Sequence, residues 1–184
     1  MLTEITEQQG VLLDIRYATA DNVTEQAFYR LPKAFLHEEA KVKLEEAVRL
    51  AAIQGLKIKI FDAFRPLEAQ QVLWNHSPDP EFVSHPEIGS CPHCRGVAVD
   101  IILTDAQGNE LEMGTGFDDF TPSSHHGNTD ISVQAQHNRY LLMGIMLTAG
   151  WDFYRNEWWH YQLFNPRNYP KWSDAEAKTG LIYG

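Results

Sequence analysis

The hydrophobic residues of this 184-residue chain recur at two different periods, and each period predicts one kind of secondary structure. Within residues 37–53 they recur at every third or fourth position, the pattern of an amphipathic helix, and Gly55 follows as its stop. Over residues 56–60 they alternate with lysine, which predicts a half-buried strand. Pro66 then suits the start of a second helix, because the backbone amide protons of the first turn make no hydrogen bonds within the helix and proline has no such proton.

The same patterns divide the rest of the chain into helices, strands and a proline-rich loop. Helices are predicted at 67–76 and 132–149, strands at 95–103, 110–113 and 157–163, and the loop at 76–92. The strand at 110–113 would return along the preceding strand as a hairpin. Because helices and strands mix without strict alternation and no linker divides the chain, we expect one α+β domain over residues 1–184. Its central sheet is predicted to be largely antiparallel and flanked by helices.

Composition restricts the possible partners. The formal net charge of −10, with no run of lysine or arginine, argues against binding to nucleic acid. The longest apolar stretch, residues 141–149, is far shorter than the roughly 18 residues that a membrane span needs. The first ten residues lack the features of a signal peptide, and two cysteines are too few for a disulfide framework. A cytoplasmic location without a membrane partner is therefore expected.

Two segments contain candidate metal ligands. CPHCRGVAVD contains His93 and Asp100, and EWWHY contains His160. Two imidazoles and one carboxylate suit a catalytic zinc site, because three protein ligands leave a fourth position for water. A spacing of seven would point His93 and Asp100 to opposite faces of a regular strand. We therefore expect His93 in the preceding loop, or a bulge at Gly96.

The chemistry of hydrolysis suggests roles for two further residues. Glu157 lies three positions before His160 and is expected just before the strand that carries this histidine. A carboxylate near the metal but outside its ligand set can act as general base toward water. Arg65 follows the predicted strand at 56–60 and could stabilise negative charge on a peptide carbonyl.

Several motifs resemble one family of enzymes. HCRGVAVD resembles the H-x-x-G-x-A-x-D signature of the D-Ala-D-Ala dipeptidases, which belong to the D-alanyl-D-alanine metallopeptidases and share a hedgehog-like fold. EWWHY is similar to their second signature, and FDAFRP is similar to the segment that ends in their catalytic arginine. DIRYATADN and MGTGFDDF also resemble dipeptidase segments, so the similarity extends over residues 14–161.

The resemblance implies a role for each matching residue. One zinc ion per chain would be held by the two histidines and the aspartate named above, with Glu157 as base and Arg65 beside the scissile carbonyl. Asp118 and Tyr17 would bind the free amino end of a dipeptide. Cys91 stands where the family signature has a substrate-binding serine, with Ser90 one place earlier. The implied activity is zinc-dependent hydrolysis of D-Ala-D-Ala or a related D,D-dipeptide to free amino acids.

Alternative hypotheses remain open at the level of the sequence. The chain could be a cell-wall D,D-carboxypeptidase or endopeptidase, or a hedgehog-like module that binds zinc without catalysis. Cys91 and Cys94 form a C-x-x-C motif that could act as a redox switch beside His93, and the adjacent pair His125 and His126 is expected on the surface. A homo-oligomer is possible, although no interface pattern stands out.

Overall fold

The computed structural model describes residues 1–182, and these contain seven strands and four α-helices. The helices are α1 (Glu38–Ile53), α2 (Leu67–His76), α3 (Val133–Thr148) and the short α4 (Asp174–Ala177). The strands are β1 (Leu2–Ile5), β2 (Leu12–Leu13), β3 (Ala34–His37), β4 (Lys57–Asp62), β5 (Ala98–Thr104), β6 (Asp152–Phe153) and β7 (His160–Gln162).

The central sheet has five strands in the order β2-β4-β5-β7-β6. β2 pairs with β4 in parallel, and the other neighbours are antiparallel. A separate antiparallel pair joins β1 to β3. The predicted α+β class with a largely antiparallel central sheet is confirmed.

Helices α1 and α3 pack against this sheet. His37 caps the start of α1, because its ring accepts a hydrogen bond from the amide of Glu39, and the buried face of α1 consists of alanine and leucine. This face packs against β4 and α3. β5 is buried along its whole length, which makes it the centre of the core. No helix among residues 1–182 combines the length and the apolar composition needed to cross a membrane.

An irregularity in β4 aligns the polar residues of the sheet. The pairing between β4 and β5 shifts at Phe61, so that Ile60 lies opposite Ile101 and Asp62 lies opposite Asp100. On the other side of β5, Asp100 lies opposite His160. Directly opposed residues of neighbouring strands point to the same face of a sheet. Three adjacent strands therefore present one row of polar side chains.

The structure confirms the three long predicted helices and corrects several strands. The segment at 95–103 becomes a strand only from Ala98, because residues 93–95 form a 3₁₀ turn. The predicted return strand at 110–113 is wrong, since a single bridge between Thr104 and Glu110 replaces it. The last strand covers three residues instead of the predicted seven. The sequence patterns did not predict the pair of β1 and β3.

Candidate active site

Three candidate metal ligands converge at the surface of the central sheet. Nε2 of His93 lies 3.0 Å from Nδ1 of His160 and 3.2 Å from Oδ1 of Asp100. The latter two atoms are 3.1 Å apart. All three residues are buried, and they form the one group among residues 1–182 that is arranged to hold a metal ion.

The remaining ring nitrogens indicate that this trio fits zinc. Nδ1 of His93 lies 2.7 Å from the carbonyl of Ala63, and Nε2 of His160 lies 3.1 Å from the amide oxygen of Gln162. Both partners are acceptors, so each of these nitrogens carries the ring proton. The opposite nitrogens and the carboxylate of Asp100 are then three acceptors that face one another. A cation with nitrogen and oxygen ligands, such as zinc, satisfies all three.

A turn before β5 places His93. Residues 93–95 form a 3₁₀ turn that ends at Gly96, which has a φ of +66°. This left-handed conformation favours glycine, and a Cβ atom here would stand 2.3 Å from Cδ2 of Leu2. The turn changes the direction of the chain so that His93 and Asp100 meet despite their odd spacing. His93 lies in the segment before the strand, as the parity argument predicts.

Glu157 lies beside the trio and outside it. Its Oε2 is 3.8 Å from Nδ1 of His160, and its place in the turn before β7 agrees with the prediction. Burial and the nearby carboxylates of Asp100 and Asp118 raise the pKa of Glu157 well above its usual value, against the opposing effect of Arg65. A raised pKa makes the carboxylate form of this side chain a stronger base toward water.

Arg65 is fixed by three acceptors. Its Nε donates to Asp62 at 2.9 Å, its Nη1 donates to Gln70 at 3.1 Å, and its Nη2 donates to Asp100 at 3.3 Å. The guanidinium also lies 5.0 Å from the centre of the Tyr17 ring. The structure therefore provides a buried, preorganised cation next to the trio.

The sequence of this chain is similar to those of known proteins. The family model described as D-ala-D-ala dipeptidase matches residues 4–175. The chain belongs to this family. The D-alanyl-D-alanine dipeptidase of Escherichia coli (strain K12) is 40% identical over 162 residues, which are 88% of this chain and 83% of the relative. The D-alanyl-D-alanine dipeptidase of Enterococcus faecium is 32% identical over 84% of this chain and 86% of its own.

A solved structure is also similar to this dipeptidase-family chain. It is the E175A mutant of the vancomycin resistance D,D-pentapeptidase VanY from a VanB-type resistance cassette, in complex with Zn(II). The similarity covers 90% of this chain and 85% of the VanY chain, with 14% sequence identity and a TM-score of 0.47.

A carboxylate and a phenol mark one part of the dipeptidase pocket. The hydroxyl of Tyr17 donates to Asp118, with the shorter distance at 3.0 Å, and both residues line the same pocket as the trio. Burial and the charge of Asp100 raise the pKa of Asp118 to about 7, while Arg65 and the Tyr17 hydroxyl act to lower it. Asp118 has a φ of +59°, and its carboxylate has no cationic partner within residues 1–182.

Both cysteines are free and buried, and Cys91 lines the pocket. Cys91 has a φ of +45°, and its thiol donates to the carbonyl of His85 at 3.1 Å. The thiol of Cys94 points toward the amide oxygen of Gln70 at 4.0 Å.

The loop at 77–92 closes one side of the pocket. Phe82 from this loop stacks on Phe120 with 5.1 Å between the ring centres, and the hydroxyl of Tyr154 donates to the carbonyl of Glu81. All of these residues except Glu81 line the pocket, whose volume is about 250 Å³. A pocket for a drug-sized ligand has about 300–1,000 Å³, so this pocket suits a smaller molecule.

Several contributors to the site were not predicted from the sequence. Asp62 and Gln70 hold Arg65, and Gln162 holds His160. Gln162 could have been found, because alternate residues of a strand share a face and it lies two positions after His160. The expected surface position of His125 and His126 is wrong. Both are partly buried, and three of their four ring nitrogens face the interior without a hydrogen-bond partner.

Proposed function

We propose that this protein hydrolyses D-Ala-D-Ala, or a closely related D,D-dipeptide, to free amino acids with one zinc ion held by His93, Asp100 and His160. The observation that carries the proposal is the position of Glu157, which lies 3.8 Å from a ligand atom of the trio and outside the ligand set. The names of the two relatives described above support the choice of substrate.

The side chains divide the reaction between them. Zinc, when bound, would supply the positive charge that polarises the peptide carbonyl and acidifies the attacking water. Glu157 accepts a proton from this water and returns it to the leaving amine, for which its raised pKa is suited. Arg65 stabilises the charge that develops on the carbonyl oxygen, and its three hydrogen bonds keep it in place before the substrate arrives.

The recognition of short substrates is part of the proposal. Asp118 and Tyr17 bind the free ammonium group, since a carboxylate without a cationic partner gains a charge-assisted hydrogen bond when the ammonium enters. The small volume of the pocket and the stacked rings of Phe82 and Phe120 leave little room for a longer peptide. These features favour the dipeptidase over a cell-wall carboxypeptidase or endopeptidase.

Two other features concern the alternative of a non-catalytic module and the location of the protein. A zinc-binding module without activity would need neither the buried base nor the buried guanidinium, so the positions of Glu157 and Arg65 disfavour this alternative. The free thiols of Cys91 and Cys94 agree with a reducing compartment, and we keep the cytoplasm as the proposed location.

The deciding experiment combines zinc analysis with three substrates. We would measure zinc content and the hydrolysis of D-Ala-D-Ala, L-Ala-L-Ala and a pentapeptide ending in D-Ala-D-Ala, for the parent, Glu157→Gln and the exposed control Glu7→Gln. The parent and the control should contain one zinc and cleave only the D,D-dipeptide. Glu157→Gln should keep its zinc and lose about 10²- to 10⁴-fold in kcat. Efficient cleavage of the pentapeptide would refute the dipeptidase assignment.

A further inference from the structure

Arg139 is a buried arginine of α3 that does not line the pocket, and the residue is only 2% exposed. Its guanidinium donates to the carbonyl of Met113 at 2.7 Å and to those of Ser123 and His125 at 2.9 and 3.2 Å. A longer hydrogen bond of 3.5 Å reaches Oγ1 of Thr115. These four acceptors are neutral, so hydrogen bonds to two loop segments offset the cost of burying the cation. One helical side chain therefore joins two parts of the connection between β5 and α3.

The second of these parts, the segment at 123–126, holds the turn that carries Glu157. The amide of Trp158 donates to a carbonyl of this segment at 3.1 Å, and the amide of His126 donates to the carbonyl of Arg155 at 2.8 Å. The two backbone hydrogen bonds lie on either side of Glu157 in the sequence. Because the guanidinium fixes two carbonyls of the same segment, it restrains the base through the backbone without touching it.

The hydroxyl of Thr115 lies at the centre of this network. Its oxygen accepts a hydrogen bond from Nε1 of Trp158 at 2.8 Å and lies 3.0 Å from Oγ of Ser124. The buried Ser124 hydroxyl donates to the carbonyl of Asp119, so Thr115 must be the donor in its bond to Ser124. With Trp158 and Arg139 as donors to it, the Thr115 hydroxyl uses its one proton and both of its lone pairs.

The network connects two groups of the pocket that the proposed reaction needs at fixed positions. Asp118 follows Thr115 by three residues, and Glu157 directly precedes Trp158. The guanidinium of Arg139 also lies 5.9 Å from the centre of the Trp158 ring. A misplacement of about 1 Å in a reacting group can cost about 10²-fold in rate. Support of this kind therefore matters for catalysis as well as for stability.

We propose that Arg139 and Thr115 are positioning residues for the hydrolysis. Together they set the separation between Glu157, the base, and Asp118, the partner of the ammonium group. Neither of the two residues lines the pocket, so both act through the loop segments and the indole of Trp158. The assignment rests on the proposed function and adds to it two residues outside the pocket.

Two substitutions of Thr115 separate positioning from packing. Thr115→Val keeps the shape of the side chain without the hydroxyl, whereas Thr115→Ser keeps the hydroxyl and loses the methyl group. We would measure kcat and KM for D-Ala-D-Ala, zinc content and melting temperature in the zinc-loaded enzyme. Thr115→Val should lower kcat by about 10- to 10²-fold with its zinc retained, and kcat of Thr115→Ser should stay within about threefold of the parent. The reverse order would show that only packing matters here and would overturn the proposal.

Arg139→Lys tests the guanidinium itself. Lysine keeps the charge but cannot reproduce the directed hydrogen bonds to both segments. We expect kcat to fall about 10²-fold and KM to rise, because the base and the ammonium partner both lose support. The control Leu142→Ala removes a fully buried side chain of the same helix and should lower the melting temperature while leaving kcat within about threefold of the parent. An equal loss of kcat in the control, measured well below both melting temperatures, would overturn the positioning role.

Amide hydrogen exchange tests the assignment without the reaction. In Arg139→Lys, the amides of residues 123–126 and 155–158 should exchange about tenfold faster than in the parent, with those of α1 unchanged. Unchanged exchange in both segments would overturn the proposal. A zinc-loaded parent that does not cleave the dipeptide refutes the proposed function itself. A parent that cleaves it, with unchanged kinetics in Thr115→Val and Arg139→Lys, overturns only the positioning assignment.

Discussion

At the scale of single residues, the site contains more buried negative charge than positive charge. The carboxyl groups of Asp62, Asp100 and Glu157 are buried, and Arg65 is the guanidinium that contacts the first two. An uncompensated buried carboxylate is costly, so the site favours the arrival of cations. Zinc at the trio and an ammonium at Asp118 are the two cations that the proposed reaction brings.

The partly buried Asp118 should give substrate binding a defined pH dependence. Its pKa of about 7 lies above the usual range, so lowering the pH protonates it and removes the partner of the ammonium. KM for D-Ala-D-Ala should rise as pH falls, with a midpoint at or below 7 because zinc offsets the charge of Asp100. Steady-state kinetics between pH 5 and 8, at intervals of about one pH unit, would measure this dependence of KM. In Asp118→Asn, KM should be high and independent of pH; a KM that still rises at low pH would contradict the assignment.

Replacement of Arg65 by lysine should separate its catalytic role from a structural one. Lysine keeps the charge but cannot reproduce the three directed hydrogen bonds of the guanidinium. We expect kcat to fall about 10²- to 10³-fold with KM little changed, which is the usual effect of losing an oxyanion donor. Zinc content and melting temperature are the accompanying measurements, with the exposed Arg49→Lys as control. A parallel loss of zinc would indicate a structural role.

At the scale of elements, the turn before β5 determines where the first histidine lies. The left-handed Gly96 redirects the chain between His93 and the strand, and its amide donates to the carbonyl of His93. Leu2 of β1 packs directly against this glycine. The outer pair of strands therefore supports the metal site through the turn.

A Cβ atom at position 96 should damage the fold and the site together. Gly96→Ala brings this atom within 2.3 Å of Leu2 and 3.2 Å of the His37 nitrogen, in a conformation that disfavours side chains. Gly55→Ala is a matched control, because its φ of +72° is similar but nothing lies within 4 Å. In the control, the free energy of unfolding should fall by only about 1 kcal/mol, which is the cost of the conformational strain. In Gly96→Ala, the free energy of unfolding measured with urea should fall clearly more, and zinc should bind more weakly. Equal losses of stability in the two variants would refute the role of the contact with Leu2.

At the scale of the whole molecule, the proposed metal site joins parts of the chain that are far apart in sequence. The trio is contributed by the turn at 93–95, by β5 and by β7, and Arg65 follows β4. A metal that binds the folded state and not the unfolded chain stabilises the whole fold by mass action. The site should therefore act on global stability as well as on catalysis.

Removal of zinc should lower the melting temperature and abolish activity. At a metal concentration about 1,000 times the dissociation constant, binding contributes about 4 kcal/mol, which corresponds to roughly 10 °C in a chain of this size. Calorimetry before and after chelation, followed by the addition of zinc, measures the effect. Glu157→Gln should show the same zinc-dependent shift while remaining inactive. An unchanged melting temperature after verified metal loss would argue against His93, Asp100 and His160 as ligands.

The sequence by itself determined the helices and named the candidate residues of the site. The bounds of α1, α2 and α3 follow from local periodicity and capping, because a helix satisfies its backbone hydrogen bonds within the segment. The motifs likewise named the candidate ligands, the base and the arginine, since their chemistry depends on residue type. The odd spacing of His93 and Asp100 predicted that His93 lies in the loop before the strand or that a bulge intervenes at Gly96.

Only the tertiary structure decided which residues meet. The return strand predicted at 110–113 is absent and the pair of β1 and β3 is present, because strands depend on partners that are distant in sequence. The shift at Phe61 aligns Asp62 with Asp100 and His160, and no local pattern encodes that register. The same holds for the thiol of Cys91, whose hydrogen bond to the carbonyl of His85 is set by the fold of the loop at 77–92.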